Sequence, residues 1–228
     1  MTDTLEKTVL ILSGGMDSAT LLYKLLHDNI RPICVSFNYG QRHKKELICA
    51  SELAKLNGLE WELINLEGLG PILKGSSQTD LSVPVPTGRY DAENMKLTVV
   101  PNRNMIMLSV AMGLAIANGI ETVHYGAHAG DHTIYPDCRP KFVEALNKAA
   151  ALCDWKKVQV IAPYLGRSKS DICKDGVALG VPYDLTWTCY AGTEKPCGKC
   201  GSCSERLEAF ALADAKDPLV YEDSVAHG

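Results

Sequence analysis

Val9-Leu10-Ile11-Leu12-Ser13-Gly14-Gly15-Met16-Asp17-Ser18 is the stretch that decides the fold. Four apolar residues in a row, two of them β-branched, read as a short buried strand. The chain then turns on Ser13, Gly14 and Gly15. From Ala19 the pattern becomes helical, with Leu21, Leu22, Leu25 and Leu26 on one face. A strand, a tight glycine turn and a helix start aim unsatisfied backbone N–H groups and the positive end of the helix dipole at one point. An anion, most often a phosphate, binds there. Gly14 and Gly15 let the backbone approach its oxygens, and Ser13 and Ser18 add hydroxyl donors. The plain structural alternative is a glycine turn in which Asp17 and Ser18 only cap a helix.

The run is neither a Walker A loop, which needs Gly-x-x-x-x-Gly-Lys-[Ser/Thr], nor a dinucleotide loop, which needs Gly-x-Gly-x-x-Gly. Ser-Gly-Gly-Met-Asp-Ser resembles instead the signature of the PP-loop ATP pyrophosphatases. The resemblance implies that the loop holds the β- and γ-phosphates while ATP is cut at the α-phosphate into AMP and pyrophosphate.

Around this motif the chain alternates strands and helices. Ile30–Phe37 reads as a second strand, 45–56 as a helix and 61–66 as a third strand. Glycines and prolines then break the pattern from Glu67 to Pro101, too long a stretch for a plain connection, so a functional or subunit-contacting insertion is expected. Helix 105–118, strand 121–125, helix 140–153, strand 158–161 and helix 170–179 follow. The fold class is therefore α/β: a doubly wound, Rossmann-like parallel sheet of the PP-loop/HUP type. It is read as one domain over residues 1–228, with a metal-bound C-terminal segment at 186–210 that has little core of its own. Ligands of open α/β sheets bind at the carboxyl ends of the strands. That points to Ser13–Ser18, Ser36–Arg42, the segment after Tyr125 and the segment after Ile161.

Hydrophobic content of 46% and charged content of 22% over 228 residues suit a soluble globular protein. Lys plus Arg number 23 against 27 Asp plus Glu, a formal charge of −4, which argues against a stable nucleic-acid footprint. Met1–Lys7 is polar and lacks signal architecture, and Met105–Ile120 is short for a membrane span, so a cytoplasmic protein without membrane contact is expected. Five of nine cysteines are scattered, whereas Cys189, Cys197, Cys200 and Cys203 crowd together. Four soft ligands match a closed tetrahedral structural zinc knuckle. An iron–sulfur cluster also uses Cys-x-x-Cys-x-x-Cys, but the usual fourth cysteine followed by proline is absent after Cys203.

Other polar runs carry two readings each. Ser36-Phe-Asn-Tyr-Gly-Gln-Arg-His-Lys-Lys-Glu46 places Tyr39, Gln41 and Arg42 beyond the second strand, or simply starts a solvated helix. Arg103 and Asn104 open a buried helix, where they bind an anion or purine edge, or where Asn102 or Asn104 caps it. His124, His128 and His132 lie in a glycine-broken stretch that reads as a substrate loop rather than a second metal site. Asp131 and Asp137 there suit a guanine-like N–H pair. Lys169 stands at a helix start, in reach of phosphates or on the surface.

Five motifs run in one order: Ser13-Gly-Gly-Met-Asp-Ser18, Tyr39-Gly-Gln-Arg-His43, Pro101-Asn-Arg-Asn104, Tyr135-Pro-Asp-Cys-Arg139 and Thr186-Trp-Thr-Cys-Tyr190 with its three following cysteines. Together they are similar to the 7-cyano-7-deazaguanine synthase family over nearly the whole chain. Asn102 stands where many members carry Gly, and Thr188 where Ser is common. The resemblance implies an ATP-dependent carbon–nitrogen ligase of queuosine biosynthesis. It would take 7-carboxy-7-deazaguanine, ammonia and ATP with magnesium to the nitrile, through adenylated acid and amide. It implies ATP contacts along Leu12, Ser13, Gly14, Gly15, Met16, Asp17, Ser18, Ala19, Thr20, Leu21 and Leu22. Catalytic roles would fall to Asp17 and Lys169, and substrate binding to Tyr39, Gln41, Arg42, Arg103, Asn104, Asp131, Tyr135 and Asp137. Structural zinc on Cys189, Cys197, Cys200 and Cys203 and a homodimer through the 67–101 insertion complete the expectation. A PP-loop tRNA-thiolation enzyme and a non-catalytic zinc-knuckle interaction module are the alternatives.

Overall fold

The computed structural model describes residues 6–88, 93–192 and 194–222. Residues 1–5 of the polar N-terminal run and residues 89–92 of the insertion lie outside the described residues.

Five strands form one parallel sheet: β1 (Glu6–Ile11), β2 (Ile30–Asn38), β3 (Trp61–Asn65), β4 (Thr122–His124) and β5 (Gln159–Ile161), in the order β3-β2-β1-β4-β5. Helices α1 (Met16–His27), α2 (Lys45–Leu56), α3 (Arg103–Ala117), α4 (Pro140–Ala150), α5 (Lys169–Ala178) and α6 (Gly201–Leu212) cover it. Alternation along β1 divides the core. Val9 packs with α3 residues such as Leu108 and Ala111 on one face. Leu10 packs with Leu21 of α1, Leu53 of α2, Ile172 of α5 and Phe210 of α6 on the other. Pro32, which lacks an N–H, pairs with Thr8 of β1 ahead of Cys34, where the pairing of β2 with β3 begins, so β2 has a neighbour on one side only there.

The order places β2 and β3 on one side of β1 and β4 and β5 on the other. The switch point is therefore between β1 and β4, at whose carboxyl ends open α/β sheets hold their ligands. Gly126, just past β4, lies so close that an added Cβ would stand 3.3 Å from the Ser18 amide nitrogen.

One sequence expectation changes. The C-terminal segment is not poor in core: Phe210 and Ala209 join the cluster under β1, and Phe210 meets Tyr183 edge to face at 5.1 Å. Arg206 is buried and grips Asp217 at 2.7 and 3.0 Å while its guanidinium also bonds Thr186 and the Tyr183 carbonyl. The sequence hides this because α6 carries cysteines and small residues in place of a strong apolar stripe. The insertion is likewise folded against the body. Thr87 bridges Cys200, and Ser76 and Ser77 are fully buried. Among the described residues one helical stretch, Met95–Ala117, is long and apolar enough to cross a membrane; its α3 part packs on β1 and β4.

Candidate active site

The glycine turn after β1 is held by its own serines. Ser13 and Ser18 hydroxyls lie 3.0 Å apart, the Ser13 N–H donates to Ser18 Oγ, and Ser18 Oγ donates to the Gly15 carbonyl at 3.1 Å. The α1 N-cap is Gly15, without a side-chain cap, so neither Asp17 nor Ser18 caps the helix and its first N–H groups remain available. Gly14 has φ +86°, and a Cβ on it would run into the Glu46 carbonyl oxygen. Its own carbonyl accepts from the Trp187 N–H at 2.9 Å. Gly14→Ala is expected to cost at least about 2 kcal/mol of stability, because both the conformation and the space are refused. Urea denaturation checks this.

Asp17 points from this turn to a buried charge cluster. Lys169, at the start of α5, sits 2.9 Å from Asp17 Oδ2 and 2.9 Å from Glu205 Oε2. His128 closes the ring, 3.8 Å from Asp17, 3.6 Å from Asp131 and 4.0 Å from Glu205. The Gly130 N–H donates to His128 Nδ1, which leaves Nε2 to carry the proton toward the carboxylates. Burial opposes every charge here. For Lys169 it is outweighed by Asp17, Glu205 and Asp131, which hold the ammonium well above the ordinary amine range. For Asp17 it is outweighed by Lys169 and His128, which keep the carboxyl below its usual value. For Glu205 burial wins and the carboxyl is raised.

A cleft of about 230 Å³ opens above this cluster. Ser13, Gly15, Asp17 and Ser18 form its floor with Lys169. Its far wall is aromatic and cationic: the Arg103 guanidinium lies 6.0 Å from the Tyr39 ring centre and 5.8 Å from that of Tyr135. No carboxylate pairs with Arg103 among the described residues.

The structure brings together Leu12, Ser13, Gly15, Asp17, Ser18, Tyr39, Arg103, Asn104, Asp131, Tyr135 and Lys169, all on this cleft. It does not bring the others there. Gly14 is turned toward α2. Met16, Ala19, Leu21 and Leu22 are fully buried in the core, and the Thr20 hydroxyl bonds Tyr183. Gln41 is buried against the Phe37 carbonyl and Glu46. Arg42 is spent on the carbonyls of Ser77, Asp80 and Val83, clamping the insertion. Asp137 accepts the Asn104 N–H at 3.1 Å, so it caps α3, the role the sequence offered to Asn102 or Asn104. Asn102 instead adopts φ +57°, a left-handed conformation that glycine and asparagine accept. The histidines do not form one site: His124 bonds Thr8, and burial lowers its ring to about 4.

Glu46, Gln78, Tyr190 and Glu205 escaped the sequence reading. Glu46 closes a run quoted for its other members, and Glu205 is masked by the cysteines before it. Burial pushes the Glu46 carboxyl up to about 7, against the Gln41 hydrogen bond and the Arg103 charge. A folded-state value above the ordinary one gives stability that is full below about pH 4.5 and lost as pH rises through about 7. Glu46→Gln is therefore expected to be more stable than the parent at pH 8, by about 2 kcal/mol, and no more stable at pH 5. Thermal melts at the two pH values check it.

Beside the cleft, the Sγ atoms of Cys189, Cys197, Cys200 and Cys203 lie within 4.8 Å of one another, all buried. N–H groups of Ala191, Gly192 and Cys197 point at Cys189 Sγ. Four converging, N–H-solvated sulfurs fit a single soft metal ion.

A parallel sheet with a serine-glycine phosphate turn at its switch point, a lysine–aspartate pair on the floor and an open cleft above defines the PP-loop class. Solved structures share that fold. They include the U34-tRNA thiolase NcsA from Methanococcus maripaludis with its [4Fe-4S] cluster, 20% identical with TM-score 0.50 over 94% of this chain and 68% of that one. NMN synthetase from Francisella tularensis is 14% identical with TM-score 0.52 over 93% and 79%. The family model of queuosine biosynthesis protein QueC matches residues 7–214, and the chain belongs to that family. Relatives named 7-cyano-7-deazaguanine synthase include one from Psychromonas ingrahamii, 53% identical over 96% of this chain and 99% of its own. Another from Hahella chejuensis is 54% identical over 95% and 94%.

Proposed function

We propose that this protein is an ATP-dependent carbon–nitrogen ligase that converts 7-carboxy-7-deazaguanine and ammonia into 7-cyano-7-deazaguanine, in the cytoplasm and as a homodimer. One observation carries the reading: a single cleft joins the phosphate turn and its Lys169–Asp17 pair to an aromatic wall holding an Arg103 guanidinium with no carboxylate partner among the described residues. The turn suits the pyrophosphate end of ATP, and the wall suits a flat anionic base.

A carboxylate is a poor electrophile. Attack of its oxygen on the α-phosphorus forms a P–O bond, breaks the bond to pyrophosphate and leaves an acyl adenylate. Ammonia adds at the acyl carbon; AMP departs with the former carboxylate oxygen, a proton is lost and the amide remains. The amide oxygen attacks the α-phosphorus of a second ATP and displaces its pyrophosphate; the C–O bond of the adenylated amide then breaks, AMP leaves with that oxygen, and loss of both N–H protons gives the nitrile. In each activation Ser13, Gly15 and Ser18 donate to the leaving pyrophosphate, and the Lys169 ammonium faces the charge that develops there. Asp17 holds Lys169, and its Oδ1 is buried without a hydrogen-bond donor among the described residues, a donor set that fits magnesium. Magnesium, when bound, neutralises phosphate charge.

Zinc is the metal assigned to the four cysteines. Their mutual closeness suits one ion bound by all four; a four-iron cluster binds each sulfur to a different iron and spreads them. All four ligands are protein thiols, so the ion is structural. For the homodimer, exposed Ile72 and Leu81 in the insertion supply apolar surface.

Incubation of the protein with 7-carboxy-7-deazaguanine, ammonium, magnesium and ATP tests the activity by mass spectrometry. The expected products are the nitrile and AMP, with a transient amide. AMP without nitrile would overturn the substrate; neither would overturn the enzyme.

A further inference from the structure

Three carboxylates line the cleft, and two are already committed. Asp17 is ion-paired with Lys169, and Asp131 engages His128 through its side chain and backbone. Glu46 differs. Its Oε1 takes the Gln41 amide at 3.1 Å, and its second oxygen has no hydrogen-bond donor among the described residues. Gln41 is itself fixed, since its Nε2 also bonds the Phe37 carbonyl and its Oε1 accepts the Tyr39 N–H at 2.9 Å. The carboxylate is thus oriented by a rigid amide, on the same wall as Tyr39 and Arg103, with its second oxygen open to a donor.

A carboxylate so placed matches two adjacent N–H groups of a planar ring held against an aromatic and guanidinium wall. A guanine-type ring presents that pair, N1–H and the 2-amino group, whereas adenine presents one donor beside one acceptor. We propose that Glu46 is the specificity-determining residue that reads the N1–H and 2-amino edge of the deazaguanine substrate. This rests on the substrate assignment above. Asp131 and Asp137, which by type suit the same N–H pair, are otherwise engaged: Asp137 caps α3, and Asp131 holds the His128 loop. Burial, which raises the Glu46 carboxyl to about 7, is the cost of keeping an acceptor ready for these donors.

Full-length parent and Glu46→Gln proteins would be compared at pH 8 with 7-carboxy-7-deazaguanine and with its analogue lacking the 2-amino group. Glu46→Gln is expected to raise KM for the base about 10–100-fold, the worth of a charge-assisted hydrogen bond, with KM for ATP and kcat changed less than about 3-fold. The parent should prefer the amino-bearing base at least about 10-fold, and the variant should lose that preference. A rise in KM for ATP alone, or equal discrimination by parent and variant, would overturn the proposal. Calorimetric binding of 7-deazaguanine and 7-deazahypoxanthine to both proteins separates the two claims. Discrimination by the parent that Glu46→Gln abolishes, without any turnover, would keep Glu46 as the edge reader and sink the reaction. Failure to bind either base would sink both.

Discussion

Lys169→Met should lower kcat/KM about 10²–10³-fold in an assay of pyrophosphate release, and should cost about 3 kcal/mol of stability. Both effects come from one position. The ammonium is 10% exposed and sits between Asp17 and Glu205 at 2.9 Å from each. Removing it takes away the cation that faces the phosphate site and leaves two buried carboxylates without their counter-charge. The two effects separate by condition. At a temperature where circular dichroism shows a folded variant, the remaining loss is catalytic. Lys169→Arg is expected to recover most of the stability and little of the rate, because a planar fork does not place its charge where a point ammonium does. Full activity in folded Lys169→Met would remove Lys169 from the reaction.

Loss of the thiol site should be as severe for the fold. Cys203→Ser is expected to abolish bound metal and lower Tm by about 10 °C or more, since a structural ion contributes folding energy directly and each kcal/mol moves a chain of this size by about 2–4 °C. The reason lies in α6. Cys200 caps it and Cys203 lies in its first turn; Glu205 then reaches Lys169, Arg206 grips Asp217, and Phe210 enters the core under β1. A helix released at its metal end loosens all three. Cys49, buried against the cluster without belonging to the four, provides the comparison: Cys49→Ser should retain the metal. Metal content by emission spectroscopy and Tm by calorimetry read the difference.

Much of this was legible in the chain because it is local. The turn from Leu12 to Ser18, the helix 45–56 and the four cysteines each declare themselves within fifteen residues, by apolar period, glycine or ligand spacing. What the sequence could not give is which side chain meets which across the fold. Arg42 and Asp137 have the right chemistry for a ligand and are spent on the insertion and on a helix end. Glu205 carries no local signal, yet it lies on a helix that topology brings against Lys169, 36 positions earlier in the chain. The resemblance extends the ATP contacts to Ala19–Leu22, and these side chains lie in the core, where helical geometry turns them.

The most direct test of the account follows the oxygens. With both carboxylate oxygens of 7-carboxy-7-deazaguanine labelled with oxygen-18, adenylation at the α-phosphate predicts one labelled oxygen in each AMP and none in pyrophosphate or in the nitrile. Label in inorganic phosphate, with ADP as the nucleotide product, would place the attack at the γ-phosphate and contradict it.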